Sequence, residues 1–128
     1  MIPIRLNPGN DLRAALDNLR AEQNWPGAFV LSGIGSLTVA RLRLAGCSEA
    51  TEWIGDLELL TLAGTLTSDG SHLHASIANT VGQVLGGHVL PGCIIRTTAE
   101  ILIAPLTTPL HRKPDPNTGY LELTTDAA

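Results

Sequence analysis

Three of the four histidines in this chain lie near one another in the sequence, at positions that allow their side chains to meet. His72 and His74 are two residues apart in a predicted strand, so both project from the same face. If the next strand pairs so that His88 lies directly opposite His74, the three imidazoles converge. A register shifted by one residue would put His88 on the other face, unless a bulge formed at Gly86-Gly87. The fourth histidine, His111, lies in a proline-bounded segment and is expected in solvent.

Three neutral imidazoles around one point are a typical ligand set for Zn²⁺ or another borderline divalent ion. Such a site leaves one coordination position open for water or for a substrate oxygen. The alternative is that these histidines, Ser76 and nearby threonines form only the polar face of a half-buried sheet, whose other face carries Leu73, Ala75 and Ile77. A divalent metal, with zinc as the first choice, is the predicted cofactor, and the plain polar face stays open as the alternative.

A second set of residues suits acid–base chemistry. Glu58 and Glu100 are the candidate catalytic acid and base, and Arg96 is the candidate clamp for a substrate carboxylate. Arg96, Thr98 and Glu100 share one face of a predicted strand through its period of two. The alternative interpretation is an Arg96–Glu100 ion pair at the surface, without a catalytic role.

The elements that must position these residues are mainly strands. The pattern predicts a strand over 2–6, followed by a helix whose apolar residues recur at helical spacing and which ends before Pro26. Further strands are predicted over 28–31, 37–44, 57–67, 72–78, 83–90 and 94–103, with a tight backbone approach that interrupts them at 32–36. A second short helix is predicted near 49–54, and an irregular arm precedes an edge strand at 120–123. The fold class is α+β, an antiparallel-rich sheet with one main N-terminal helix.

The turn before the strand that carries His72 and His74 determines which residues of the preceding strand lie opposite these histidines. Asp69-Gly70 predicts a two-residue type I′ turn, because both of its central residues need positive φ. This turn places Thr67 opposite His72 and Thr65 opposite His74, where the hydroxyls can orient the imidazoles.

Composition is that of a small globular protein. The 128 residues and 13.5 kDa suit a single domain over 1–128, and 44% of the residues are apolar while 16% are charged. So little charge leaves apolar surface exposed on a monomer, which favours a homo-oligomer. The net charge of −4, with eight scattered basic residues, disfavours a stand-alone nucleic-acid binder.

The expected location is the cytoplasm, without membrane association. No stretch approaches the length of a membrane span, and the N-terminus lacks the basic start and apolar run of a signal peptide. The two cysteines, Cys47 and Cys93, form no CxxC pair and fit a reducing compartment.

Six ordered pieces, spread over nearly the whole chain, together resemble the plants-and-prokaryotes conserved (PPC) domain. They are RLNPGNDL at 5–12, LSGIGSL at 31–37, ELLTLAGT at 58–65, HLHAS at 72–76, GGHVL at 86–90 and TAE at 98–100. Each piece alone is weak, but their order and spacing make the resemblance specific.

This resemblance implies an antiparallel-rich domain that assembles as a homotrimer, with a metal site at the histidines matched here by His72, His74 and His88. Plant relatives join the domain to AT-hook segments that bind the minor groove of AT-rich DNA. This chain has no Arg-Gly-Arg-Pro core and no basic tail, so it resembles a stand-alone prokaryotic-type member, and we expect the isolated domain to bind DNA weakly.

Two functions follow from these observations. The first is a homotrimeric metal-binding protein that binds or acts on a small carboxylate metabolite, and whether it is an enzyme stays open. The second is a non-catalytic interaction domain or a DNA-associated domain. The metal content of protein purified without an affinity tag or a chelator discriminates between them.

Overall fold

Strands dominate the computed structural model, which describes residues 1–125. Its elements in chain order are β1 (Ile2–Leu6), α1 (Leu12–Glu22), β2 (Gly27–Arg43), β3 (Ala50–Thr67), β4 (Gly70–Ala78), β5 (Val84–Val89), β6 (Ile94–Leu106), β7 (His111–Pro114) and β8 (Leu121–Thr124). The strand pairs described are antiparallel. The predicted class, an antiparallel-rich sheet with one main N-terminal helix, is confirmed. Within the described residues, no helix combines the length and the apolar character needed to cross a membrane.

Six strands form one sheet that curls back on itself. Its order is β1-β6-β2-β3-β4-β5, and the end of β5 also pairs with the end of β2. There Leu42 lies opposite Val89, and Arg43 lies opposite His88. The strand that carries His88 is therefore held between β4 and β2, and residues of both strands lie beside its imidazole.

The core includes the apolar residues of β4 that alternate with its histidines. Leu73 and Ile77 are almost completely buried, together with Leu12 and Leu16 of the helix. Because side chains alternate along a strand, the histidines of β4 point to the opposite face. Asp11 caps the helix by accepting a backbone N–H of its first turn. The histidines thus lie outside the apolar core.

Two long strands replace elements that were predicted differently. The expected interruption at 32–36 lies inside β2, which continues through it with register shifts on either side. A Cβ on Gly35 would overlap the backbone carbonyl of Thr98, so the predicted close approach is present within a continuous strand.

The predicted helix near 49–54 was wrong, because 50–54 begin β3 and pair with β2. Strand pairing there overrides the local helical pattern.

The hairpin between β3 and β4 has a different turn from the predicted one. Thr67 pairs with Gly70, so the two loop residues are Ser68 and Asp69 rather than Asp69 and Gly70. The Thr67 hydroxyl accepts the N–H of Asp69 and donates to the carbonyl of Gly70. These side-chain bonds hold the turn one residue earlier than the type I′ rule predicts.

A two-stranded sheet lies beside this hairpin. Among the described residues β7 and β8 pair with each other, so the segment predicted as an irregular arm contains a strand, and the predicted edge strand at 120–123 does not join the main sheet. The backbone N–H of Arg112 donates to the Asp69 carboxylate, and His111 Nδ1 lies 3.4 Å from the same oxygen. His111, expected in solvent, is therefore tied to the hairpin with 22% of its side chain exposed.

Candidate metal centre

Three histidine side chains meet on one face of the sheet. His72 and His74 project from β4, and His88 of β5 lies directly opposite His74, which confirms the register that lets the three converge. No bulge is needed, because Gly86 and Gly87 pair within the regular ladder. A Cβ on either glycine would press against a backbone carbonyl of a neighbouring strand. Glycine at these positions therefore lets β5 approach both β4 and β2 closely.

The imidazoles are close enough to share one ion. The Nε2 atoms of His72 and His74 are 3.1 Å apart, and the candidate ligand atoms of all three residues lie within 4.8 Å of one another. Two nitrogens that bind one tetrahedral zinc ion at about 2.0–2.1 Å are about 3.3 Å apart. The spacing between His72 and His74 is close to this value, so this pair fits a zinc-like ion, and His88 is near enough to be the third donor.

Burial and neighbouring arginines keep two of these imidazoles neutral. Burial lowers the pKa of His88 to about 4, and the charge of Arg43 is the next cause. Burial also lowers the pKa of His72, followed by the charge of Arg112. A neutral imidazole carries the nitrogen lone pair that binds a metal, so both side chains are in the ligating form at neutral pH.

The shifted turn changes which β3 residues face the histidines. Thr65 lies opposite His72, and Ala63 lies opposite His74, so the predicted pairs of Thr67 with His72 and of Thr65 with His74 were wrong. The Thr65 hydroxyl is buried and has no hydrogen-bond partner within the described residues. Of the two threonines predicted to orient imidazoles, Thr65 therefore keeps a suitable position, beside His72 instead of His74.

The histidines line a cleft of about 860 Å³ that also contains three arginines. Arg13 comes from α1, Arg43 from the end of β2 and Arg112 from β7. Sequence reasoning missed all three, because they are far apart along the chain and form no motif. Arg43 reaches the cleft because β5 closes onto β2, which pairs it with His88.

The residues predicted for acid–base catalysis lie in a different cleft. Glu58, Arg96 and Glu100 together line a cleft of about 440 Å³, which shares no lining residue with the histidine cleft in the part of the chain described. Arg96 Nε lies 3.2 Å from an oxygen of Asp56, so the ion pair observed differs from the Arg96–Glu100 pair of the alternative interpretation. The catalytic role of these three residues stays a prediction, and their placement gives them no contact with the histidines.

Among curated proteins, the chain is similar to the bifunctional protein GlmU of Synechococcus sp. (strain JA-3-3Ab). The two are 48% identical over 122 residues, a match that covers 94% of this chain and 20% of that protein. The chain thus spans about a fifth of the length of this relative.

Solved structures share the whole fold. A hypothetical protein from Salmonella cholerae-suis superposes with a TM-score of 0.92 and 36% identity, covering 96% of this chain and 90% of that one. A candidate DNA-binding protein from Bacteroides thetaiotaomicron gives a TM-score of 0.87 at 20% identity, with coverage of 96% and 90%. The metal-containing protein AF0104 from Archaeoglobus fulgidus gives 0.76 at 23% identity, with coverage of 96% and 91%.

The family model of the Plants and Prokaryotes Conserved (PCC) domain matches residues 1–107. These residues include β1 to β6, the helix and all three clustered histidines. The earlier resemblance, carried by six short motifs, is confirmed over most of the chain. This chain therefore belongs to the Plants and Prokaryotes Conserved domain family.

Proposed function

We propose that this chain is a metal-binding domain in which His72, His74 and His88 hold one divalent ion, with zinc as the expected metal. The observation that carries the proposal is the convergence of three imidazoles, with ligand atoms within 4.8 Å of one another, in a cleft large enough for a small molecule. AF0104, a metal-containing protein, has the same fold, which agrees with this assignment. When bound, the ion acts as a Lewis acid toward an oxygen atom of a small molecule.

A plain polar face explains the cluster less well. His72 and His88 are half-buried, and arginines line the same cleft. Withdrawing polar rings from water costs free energy unless new partners replace the water. Within the described residues, the three imidazoles share one hydrogen bond, between the Nε2 atoms of His72 and His74. A metal ion supplies a partner for all three nitrogens at once.

The metal content of the untagged protein, purified without chelator, tests this proposal. We expect about one divalent ion per chain by elemental analysis, because the three imidazoles form one complete ligand set. After removal of the ion by a chelator, dialysis against zinc should restore the same stoichiometry. A wild-type protein that contains no divalent ion and takes none up on dialysis contradicts the proposal.

We propose further that the chain assembles as a homotrimer, as its family resemblance implies. Large apolar side chains of β2 and β3 are exposed in the single chain, among them Leu31, Ile34 and Leu60 at 48%, 52% and 40%. Ile34 and Leu60 line the same cleft as the two glutamates, on the opposite side of the strands from the core. A second copy that covers this surface removes apolar area from water, and closed symmetry limits the growth of the assembly.

Light scattering coupled to gel filtration tests the assembly. We expect a mass about three times the 13.5 kDa of one chain. Ile34→Glu places a charge on the proposed interface and should shift the protein toward monomer. Val81→Glu, at a position 83% exposed in the turn between β4 and β5, is the matched control and should leave the trimer intact. A wild-type protein that stays monomeric at micromolar concentration contradicts the proposal.

A further inference from the structure

Three arginines share the histidine cleft, and the metal site proposed above does not use them. Arg13, Arg43 and Arg112 come from three separate elements and line the same cleft as the imidazoles. We propose that they bind a small oxyanion, a carboxylate or a phosphate, held beside the metal with one of its oxygens facing the ion. This inference rests on the proposed metal site and extends it by naming the class of ligand.

Arg43 is the arginine best placed to contact such a ligand. It lies directly opposite His88 across the β2–β5 pair, so the guanidinium and the imidazole project from the same face. Among the neighbouring charges, that of Arg43 lowers the pKa of His88 most. Within residues 1–125 the Arg43 guanidinium makes no hydrogen bond or ion pair. Its donors are therefore available beside the metal site.

The other two arginines are held in place by backbone carbonyls. Arg13 Nη1 donates to the carbonyl of Val89, the residue that follows His88, at 3.1 Å. Arg112 Nη2 donates to the carbonyl of Leu121 at 2.7 Å. A guanidinium has five N–H donors, so one such bond positions the group and leaves others for a ligand.

Acidic groups do not cancel this positive charge. Asp69 and Glu122 are the acidic residues among the described lining, and they face three arginines there. Asp69 accepts a backbone N–H of β7, and Glu122 accepts a threonine hydroxyl. Asp17, outside the lining, lies 3.9 Å from Arg13, a loose ion pair. Once a divalent ion is added, positive charge clearly exceeds negative charge, which favours an anionic ligand.

The size and charge of the site favour a small anion. Its volume of about 860 Å³ is in the range of small-molecule clefts. Guanidinium groups recognise carboxylates and phosphates through paired N–H donors. A long polyanion such as DNA would meet the net charge of −4 of the whole chain. A compact carboxylate or phosphate satisfies the arginines without that repulsion.

Cobalt(II) is the probe for this inference, because its visible absorption responds to changes among its ligands. The full chain is loaded with one equivalent of Co²⁺, freed of excess metal, and titrated separately with acetate and with inorganic phosphate. We expect the spectrum to change and to saturate with at least one of the two anions. The anion that binds with the higher affinity then indicates whether the site prefers a carboxylate or a phosphate.

Three arginine variants locate the anion. Arg43→Ala should weaken anion binding about tenfold to a hundredfold and keep the uptake of Co²⁺, since one charged donor group is lost. Arg43→Lys keeps the charge and should recover part of the affinity. Arg5→Ala, at an exposed position of β1 outside the cleft, changes the net charge equally and should bind the anion as the wild type does.

The outcomes separate this inference from the metal proposal. A Co²⁺ spectrum that forms but does not respond to either anion overturns the inference and leaves the metal site supported. A protein that takes up no Co²⁺ overturns both. Equal weakening by Arg43→Ala and Arg5→Ala also overturns the inference, because only the overall charge would then matter.

Discussion

Replacing His74 with alanine is expected to abolish stoichiometric metal binding and to leave the fold intact. His74 is one of the three proposed ligands: its Nε2 lies 3.1 Å from that of His72, and its backbone lies directly opposite His88. Loss of a residue that merely supports a ligand weakens a metal site about 10- to 100-fold, so loss of a direct ligand should weaken it further. The side chain is exposed and outside the core, so the stability of the metal-free protein should change by no more than about 0.5 kcal/mol.

Zinc titration by calorimetry measures this effect on the metal-free protein. His111→Ala is the matched control, since His111 pairs with Asp69 and lies outside the cluster. We expect His111→Ala to bind zinc with the affinity of the wild type. If His74→Ala bound zinc as tightly as the wild type, or if both variants lost it equally, the assignment of the ligands would be wrong.

Gly64→Ala is expected to be among the most destabilising single substitutions in the chain. Gly64 has a φ of +152°, and a Cβ there would overlap the backbone carbonyl of His72 in the neighbouring strand. Backbone strain and the steric overlap act together, so we expect a loss of about 3–5 kcal/mol in the free energy of unfolding. The same overlap pushes on the strand that holds His72, so the variant should also bind metal less tightly.

Gly55→Ala separates the two causes. Gly55 has nearly the same φ, +149°, but a Cβ there would meet no atom within 4 Å. It should therefore carry only the backbone strain, about 1–3 kcal/mol. Urea unfolding of both variants gives the comparison. Equal losses of unfolding free energy in the two variants would show that the close approach of β3 and β4 at Gly64 does not add to the destabilisation.

The convergence of the histidines was predictable because few geometries were possible. A period of two puts His72 and His74 on one face. The turn at 79–82 leaves two kinds of register, one that puts His88 on that same face and one that puts it on the other face. The apolar residues between the histidines gave the direction of the core. The helix was equally predictable, since Leu12 and Leu16 recur at helical spacing and both are buried.

Other features depend on contacts that a linear pattern does not contain. The Asp69-Gly70 signal is sound for an isolated hairpin, but the Thr67 side chain bonds to the loop and moves the turn by one residue. The 49–54 segment is a strand because β2 pairs with it. Neither the bond nor the partner follows from local propensity.

The arginines of the cleft show the same dependence on distant contacts. Arg13, Arg43 and Arg112 are brought together by α1, by closure of β5 onto β2 and by the bond from β7 to Asp69. Arg96 was the arginine selected from the sequence, through the periodicity of a single strand. It lies in the other cleft, beside Asp56. Long-range assembly, rather than spacing, decides which cation accompanies the histidines.

The central claim is that three imidazoles of this chain bind one divalent ion, and X-ray absorption at the zinc edge tests it most directly. The zinc-loaded protein should show three nitrogen neighbours at about 2.0–2.1 Å, together with the outer-shell scattering of imidazole rings. His74→Ala, loaded in the same way, should lose this pattern. A spectrum of oxygen neighbours without imidazole scattering, or one that is identical in wild type and His74→Ala, would contradict the claim.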